Sequence, residues 1–331
     1  MFRKINFIFI FSVIFFVCSN SYGQEDYSEF VTIDGIQELE LKFDKEVILS
    51  PDKIVIIPEE TKKYKFLKIT PTQAMIEKNK QANIEMQKMG GEIDYRQGII
   101  PFANSQGAID LSMNNVPVLN QGADGTCVTF AVTAALDAKD NLGDYIDQQC
   151  ALALARGLNM NLWNGTFAKI VLNMIWKNGY IEKGKCFGST YPNSRQVVSP
   201  QKYRNVSDKR FSENMTWFYE NRGNIEALRG AIDKGYRVLL GVNIPQVDGF
   251  NVKVGEKSYR GGLWACYQGN SRNYCSLNGI GHEVIAYGYD DKQKLIKIRN
   301  SWGQRIGESG EFYMTYNFFN AMTWDQITLK N

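Results

Sequence analysis

Residues 281–303 read GHEVIAYGYDDKQKLIKIRNSWG, and this stretch decides the fold. Its apolar runs predict two strands, 284–289 and 295–299, which are joined by a short polar turn. Partners in an antiparallel hairpin count symmetrically from the turn, so this hairpin brings Asn300 to the level of His282. The sequence therefore predicts an imidazole and a carboxamide side by side at the open end of a hairpin.

His282 is the only histidine among the 331 residues. A zinc site built from several imidazoles is therefore excluded, and we expect neither a metal nor another cofactor. Asn300 can accept a hydrogen bond from one ring nitrogen, which fixes the tautomer and leaves the other nitrogen for a thiol. Trp302 is placed to cover that bond and exclude water. Taken singly, His282 has a simpler interpretation as a core histidine, and Trp302 as ordinary packing.

A cysteine precedes the first helical pattern of the central region. Cys127 follows Gly125-Thr126, and the apolar spacing over 128–138 predicts a buried helix. A thiol at a helix N-terminus is favoured as thiolate by the helix dipole and the unpaired N–H groups. Gln121 lies six residues earlier across a turn, so its amide and the Cys127 N–H would form a two-donor oxyanion hole. The alternative is that Cys127 is a small buried apolar residue.

These features are more informative together than singly. A thiol at a helix start, an upstream amide donor and the only histidine beside an asparagine form the constellation for thiol acyl transfer. The formal net charge of +3 is too small to indicate a basic surface that binds nucleic acid.

The N-terminus predicts export. Two basic residues precede an apolar run at 5–17, and Ser21-Tyr22-Gly23 offers a cleavage site, which together indicate a signal peptide at 1–23. This run is too short for a membrane span, which needs about 20 residues. The mature chain is expected to be secreted or periplasmic, in an oxidising compartment. Loss of Cys18 leaves five cysteines, so at least one thiol is free or pairs with another molecule.

Residues 24–107 differ in their pattern of predicted secondary structure from the remainder of the chain. Short strands are predicted at 39–43, 47–49, 54–57 and 64–69, interrupted by prolines. A helix is then predicted with Thr70 as N-cap, Pro71 at its first position and Gly90 after its end. This stretch is interpreted as a small α+β N-terminal unit. From residue 108 onward, predicted helices at 128–138, 166–176 and 225–234 precede most strands, which favours two packed subdomains.

From about Ile109 to Phe319, two thirds of the chain, the sequence resembles the papain-like cysteine peptidases. The matching segments are Val118–Gly122, Gly125–Cys127, Asp147–Cys150, Trp163–Gly165, Tyr259–Gly262, Gly281–Val284, Asn300–Gly303 and Gly307–Gly310. The Asn-Ser-Trp-Gly motif is highly specific. The resemblance implies an α+β, two-lobed fold over 108–331, with a helical lobe that carries Cys127 and a β-barrel-like lobe that carries His282 and Asn300.

The resemblance also implies roles for individual residues. Cys127 would be the nucleophile, His282 the proton carrier, Asn300 the group that orients it, and Gln121 the oxyanion donor. Protein or peptide substrate would lie extended along Gly165 and Thr166, where Thr166 replaces a glycine of the family pattern. Trp302 would support the site structurally.

The cysteines follow the family pattern in part. Cys150 and Cys186 match a family disulfide, and Cys266 and Cys275 would then pair locally, which leaves Cys127 as the free thiol. A second family disulfide is missing, because Asp124 and Trp163 stand at its two positions. Val128 replaces the aromatic residue usual after the nucleophile.

The resemblance favours an exported cysteine peptidase. By position alone, residues 24–107 would be a prosegment that blocks the cleft until it is cut near 100–108, and the alternative is a permanent docking module. Two other functions remain open: a deamidase or acyl transferase that uses the same residues, and a binding protein on a catalytically retired scaffold.

Overall fold

The structure, a computed structural model, describes residues 29–50, 53–187, 196–211, 216–219, 223–245, 250–268, 272–273 and 275–330. The predicted signal peptide at 1–23 lies outside these residues. No helix in the described part of the chain is both long and apolar enough to cross a membrane.

The chain folds into helices and one large sheet, in agreement with the predicted α+β class. The helices are α1 (Gln73–Lys88), α2 (Cys127–Lys139), α3 (Gln148–Gly157), α4 (Ala168–Asn178), α5 (Pro200–Arg204), α6 (Ile225–Asp233) and α7 (Tyr316–Met322), with 3₁₀ turns at Tyr95–Gln97 and Phe102–Asn104. The strands are β1 (Val31–Ser50), β2 (Lys53–Pro71), β3 (Ala108–Asp110), β4 (Thr216–Tyr219), β5 (Val238–Asn243), β6 (Phe250–Val254), β7 (Lys257–Trp264), β8 (Tyr267–Gln268), β9 (Arg272–Asn273), β10 (Ile280–Asp290), β11 (Leu295–Arg299), β12 (Glu311–Thr315) and β13 (Thr323–Lys330).

Helix α2 is the centre of the helical lobe. Every residue from Cys127 to Ala138 is buried, because the helix packs against α3, α4 and the sheet strand β10. Small alanine side chains at positions 131, 134, 135 and 138 allow these neighbours to approach closely. The helix therefore holds Cys127, its first residue, at the boundary between the two lobes.

The sheet of the second lobe is organised around β10. Its main path runs β4-β13-β5-β10-β11-β12-β7-β6. The hairpin predicted from residues 284–299 forms between β10 and β11, where Ile285 pairs with Arg299. Strand β10 begins earlier than predicted, at Ile280, because Gly281 to Val284 also pair with β5. His282 and Asn300 consequently lie at one end of a rigid, buried hairpin.

The N-terminal unit differs from the prediction in detail. The four predicted short strands are parts of one long hairpin, β1–β2, in which Pro58 pairs with Asp44 beside an irregularity in register that accommodates it. The predicted N-cap of α1 was wrong: Thr72, and not Thr70, caps the helix by accepting a hydrogen bond from the Met75 N–H. Gly90 follows the helix with a φ of +92°, as expected for a helix stop.

The N-terminal unit joins the sheet of the second lobe. Strand β2 pairs antiparallel with β10 through Leu67 and Gly281, and β3 pairs with the other end of β10. Farther along, Tyr95, Ile99 and Phe102 pack in one apolar cluster with residues of β6 and β7. The unit therefore wraps around this lobe.

Candidate active site

Cys127 is the first residue of α2 and is fully buried. It is the free cysteine of the described chain. Burial raises the pKa of its thiol to about 12, although hydrogen bonds from the backbone N–H groups of Glu283, Val128 and Cys127 itself act in the opposite direction. In this closed form the thiol is therefore held in its neutral state.

His282 is also fully buried, and its Nε2 lies 2.8 Å from the Asn300 Oδ1. Because Asn300 Oδ1 also accepts the Ser301 N–H, it acts as the acceptor, and Nε2 carries the proton. His282 Nδ1 has no hydrogen-bond partner within the described chain, which leaves it for a thiol. Burial lowers the pKa of His282 to about 4, and the bond to Asn300 partly opposes this.

Trp302 lies over the imidazole. The ring centroids of Trp302 and His282 are 4.7 Å apart with an interplanar angle of 33°. Trp264 adds a second aromatic wall, 6.5 Å from the imidazole between ring centroids. These rings keep water away from the His282–Asn300 hydrogen bond.

Gln121 is fastened to the segment that follows Asn300. Its backbone N–H donates to the Ser301 carbonyl over 2.9 Å, and its side-chain Oε1 accepts from the Ser301 hydroxyl over 2.7 Å. The amide nitrogen donates one hydrogen to the Asp124 carbonyl over 2.8 Å. An amide carries two N–H donors, so the second remains for an oxyanion beside the backbone N–H of Cys127.

The hairpin strand β2 occupies the space between the lobes. Leu67 pairs with Gly281 on the histidine side, and on the other side a Cβ built on Gly165 would lie 2.1 Å from the Leu67 Cδ2. Gly165 has a φ of +92°, which favours glycine, and any side chain there would also have to displace Leu67. Thr166, the neighbouring candidate for substrate binding, is buried.

The two residues before Leu67 contact both sides of the candidate site. The Phe66 ring meets His282 edge to face at 6.1 Å and Trp302 at 5.5 Å between centroids. The Lys65 N–H donates to the Ala123 carbonyl over 2.9 Å, in the turn between Gln121 and Cys127. The sequence analysis expected residues 24–107 to block the cleft but did not identify the strand that does so, although the apolar run of residues 64–69 was the available signal.

Helix α1 fastens the N-terminal unit to the second lobe. The Asn83 amide donates to the Cys275 carbonyl over 3.0 Å and accepts the Cys275 N–H over 2.8 Å. Beyond the helix, Glu92 accepts hydrogen bonds from Thr315 and from the Cys266 N–H. These contacts use polar groups whose partners are largely backbone, so they hold the unit in a defined position.

The other four cysteines of the described residues lie in two disulfides, Cys150–Cys186 in the helical lobe and Cys266–Cys275 beside α1. Cys127 is thus left free by the pairing in the structure. No three His, Cys, Asp or Glu side chains of the residues described above come together as a metal site.

Comparisons with known proteins place this geometry in context. No family model matches the chain. It is 29% identical over 259 residues to cysteine proteinase 1 of Entamoeba histolytica, covering 74% of each chain. It is 26% identical to the thiol protease aleurain of Arabidopsis thaliana, over 60% of this chain and 52% of aleurain. The chain therefore spans about three quarters of the first relative but only about half of the second.

The fold has a counterpart among solved structures. Xylellain, a cysteine protease from Xylella fastidiosa, superposes with a TM-score of 0.51 at 18% identity, covering 73% of this chain and 94% of xylellain. At this identity the likeness establishes the papain-like fold. The resemblance found in the sequence is confirmed, because the curated relatives are papain-like cysteine proteases.

Proposed function

We propose that this chain, a relative of the papain-like cysteine peptidases, is an exported cysteine peptidase that its own N-terminal hairpin keeps inactive. The observation that carries the proposal is the arrangement at His282, which lies on β10, the strand that packs against α2: Nε2 is bonded to Asn300, and Nδ1 has no partner in the described chain. This leaves one ring nitrogen to exchange a proton with Cys127, the free cysteine at the start of α2.

The reaction begins when Cys127 transfers its thiol proton to His282 Nδ1. The thiolate attacks the carbonyl carbon of the scissile peptide bond, and the carbonyl oxygen takes the negative charge. The Cys127 N–H and the second Gln121 amide hydrogen donate to that oxyanion. As the C–N bond breaks, imidazolium Nδ1 protonates the leaving amine and a thioester remains on Cys127.

Water completes the cycle. His282 Nδ1 accepts a proton from a water molecule as its oxygen attacks the thioester carbonyl, and the second tetrahedral intermediate expels Cys127 as thiolate. Throughout, the Asn300 carboxamide holds Nε2–H, so that Nδ1 keeps facing the thiol. The chain thus supplies a nucleophile, an acid–base group and an oxyanion site without a cofactor.

The closed form cannot start this cycle. Strand β2 lies against His282 and against the turn before Cys127, and the burial of both residues keeps the thiol and the imidazole neutral. Removal of the hairpin would return water to the cleft, relieve the desolvation and favour the thiolate–imidazolium pair. We propose that residues 24–107 act as a prosegment of the 108–331 peptidase domain, released after cleavage near 100–108.

Export is part of the proposal. A signal peptide at 1–23 would deliver the chain to an oxidising compartment, and the two disulfides of the structure are consistent with that environment.

The experiment compares chain 24–331 with its Cys127→Ala variant after cleavage of the N-terminal unit, on an unfolded protein substrate. We expect new peptide termini from the first and none from the second. Ammonia release without new termini would instead identify a deamidase. An inert, uncovered Cys127 would identify a binding protein on the same scaffold.

A further inference from the structure

Glu283 follows His282 in β10 but points to the opposite face of the sheet, because neighbouring strand residues alternate. It is 2% exposed and lies at the boundary with α2, on the same face as Ile285. A carboxyl group in such a place requires polar partners. Neither the proposed chemistry nor the family pattern assigns it a role.

A glycine lets a second acid approach Glu283. Gly241 of β5 pairs with Glu283 on one side and with Asp325 of β13 on the other. A Cβ built on Gly241 would lie 2.8 Å from the Asp325 Cβ, so a side chain here would fill the space over the strand. Burial and the nearby charge of Asp325 raise the pKa of Glu283 well above its usual range. Glu283 and Asp325 therefore form a buried pair of acids on either side of Gly241.

A small cavity separates Glu283 from the Asn300 segment. It measures about 10 Å³, and its walls include Phe130 and Ala134 of α2 together with Glu283, Ile285, Arg299 and Asn300. A site of this size with several polar partners is suited to one water molecule.

Three lining residues carry buried polar atoms that have no hydrogen-bond partner in the described chain. They are Glu283 Oε1, Arg299 Nε and Asn300 Nδ2. The rest of the Arg299 guanidinium is already bound, because it donates to the Val116 carbonyl and to Glu311. Buried polar atoms are almost always satisfied by protein or by ordered water.

We propose that one ordered water fills this cavity and joins Glu283 Oε1 to Asn300 Nδ2 and Arg299 Nε. Asn300 and Arg299 each donate an N–H to the water oxygen, and the water donates to Glu283 Oε1. This gives the water three hydrogen bonds, the usual number for a buried site. Glu283 is then a positioning residue that acts on His282 through the water and Asn300.

The water gives the nitrogen end of the Asn300 carboxamide a partner. Asn300 Oδ1 already accepts the His282 Nε2–H and the Ser301 N–H, and a carboxamide flipped by 180° would leave both donors without an acceptor. With Nδ2 donating to the water, both ends of the carboxamide are bound, which restricts its rotation. Glu283, by holding the water, therefore helps to keep Asn300 Oδ1 towards His282, and its effect on turnover rests on the proposed function.

The test uses Glu283→Leu, which removes the acceptor, and Glu283→Gln, which keeps a side-chain carbonyl. Ile285→Val is the matched control, because Ile285 lines the same cavity without a polar atom. All three are made in chain 24–331 carrying Cys127→Ala. His282 is the only histidine, so its Nε2–H signal in NMR spectra is identified without further assignment.

We expect Glu283→Leu to accelerate exchange of the His282 Nε2 proton with water by about tenfold or more, and Glu283→Gln and Ile285→Val to change it far less. In the active enzyme, Glu283→Leu should lower kcat by about 10- to 100-fold at nearly constant KM. A folded Glu283→Leu protein with the exchange rate of the Ile285→Val control overturns the proposal.

A high-resolution crystal structure of the unsubstituted chain gives an independent answer, even if the leucine variant does not fold. Density for one water within hydrogen-bonding distance of the three atoms supports the proposal, and a dry cavity overturns it. Neither the exchange rate nor the density depends on turnover. An inactive chain that shows both effects would refute the proposed peptidase function and leave the positioning role standing.

Discussion

The substitution Leu67→Ala tests whether β2 is the cover of the active site. Leu67 is 1% exposed and lies between Gly165 and Gly281, on opposite sides of the cleft. Truncation of a buried leucine to alanine costs about 2–5 kcal/mol. If that loss falls on the closed form, the open fraction rises roughly 30-fold to several-thousand-fold, since about 1.4 kcal/mol corresponds to a factor of ten.

Alkylation of Cys127 by iodoacetamide measures the open fraction, provided that the hairpin recloses faster than the reagent reacts. Cys127 is the free cysteine of the described chain, so mass spectrometry of intact protein follows it directly. The control is Leu172→Ala, an equal truncation at a fully buried site of α4 in the helical lobe. Equal alkylation rates for Leu67→Ala, Leu172→Ala and the unsubstituted chain would refute the covering role of β2.

Three further predictions concern acid, the oxyanion site and the anchor of α1. The pKa of His282 falls from 6.5 to about 4 in the closed form, so the closed form binds the proton less readily than the open one. The free energy that favours the closed form is therefore fully present above about pH 6.5 and decreases by about 3 kcal/mol in total as the pH falls towards 4. Proteolysis of β2 should therefore accelerate over this range, and a flat profile would contradict the desolvation of His282. Gln121→Ala should lower kcat about 10²–10³-fold in the released enzyme, and a loss below about threefold would exclude Gln121 as an oxyanion donor. Asn83→Ala removes two hydrogen bonds to Cys275, worth about 2 kcal/mol together, and should make α1 more accessible to protease. The control is Met89→Ala, at an exposed position after the same helix. Identical digestion of the two variants would disprove the anchoring role of Asn83.

Local sequence patterns were sufficient for the parts of the site that lie on single elements. The hairpin that presents His282 and Asn300 follows from alternation and turn residues within twenty positions, and β11 has the predicted bounds, Leu295–Arg299. Helix α2 begins at Cys127, one residue before the predicted helical run. Such features depend on neighbours in the sequence, which is the range over which periodicity carries information.

The strand that covers the active site could not be identified in this way, although residues 24–107 were expected by position to block the cleft. The pairing of Leu67 with Gly281 joins residues that are far apart in the sequence, and the pattern of 64–69 specifies a strand but not its partner. Pro58 also suggested a break, whereas an irregular register lets β2 continue through it. Likewise, Glu283 and Asp325 meet only because β5 places Gly241 between them.

A covalent intermediate on Cys127 is the most direct test of the central claim. Chain 24–331, freed of its N-terminal unit, is mixed with a slowly hydrolysed ester or anilide of an N-acylated peptide, quenched in acid and examined by mass spectrometry. The proposed mechanism predicts that the acyl group of the substrate is found as a thioester on Cys127, and that Cys127→Ala shows neither this adduct nor turnover. Turnover by Cys127→Ala, or an acyl group on a different residue, would contradict it.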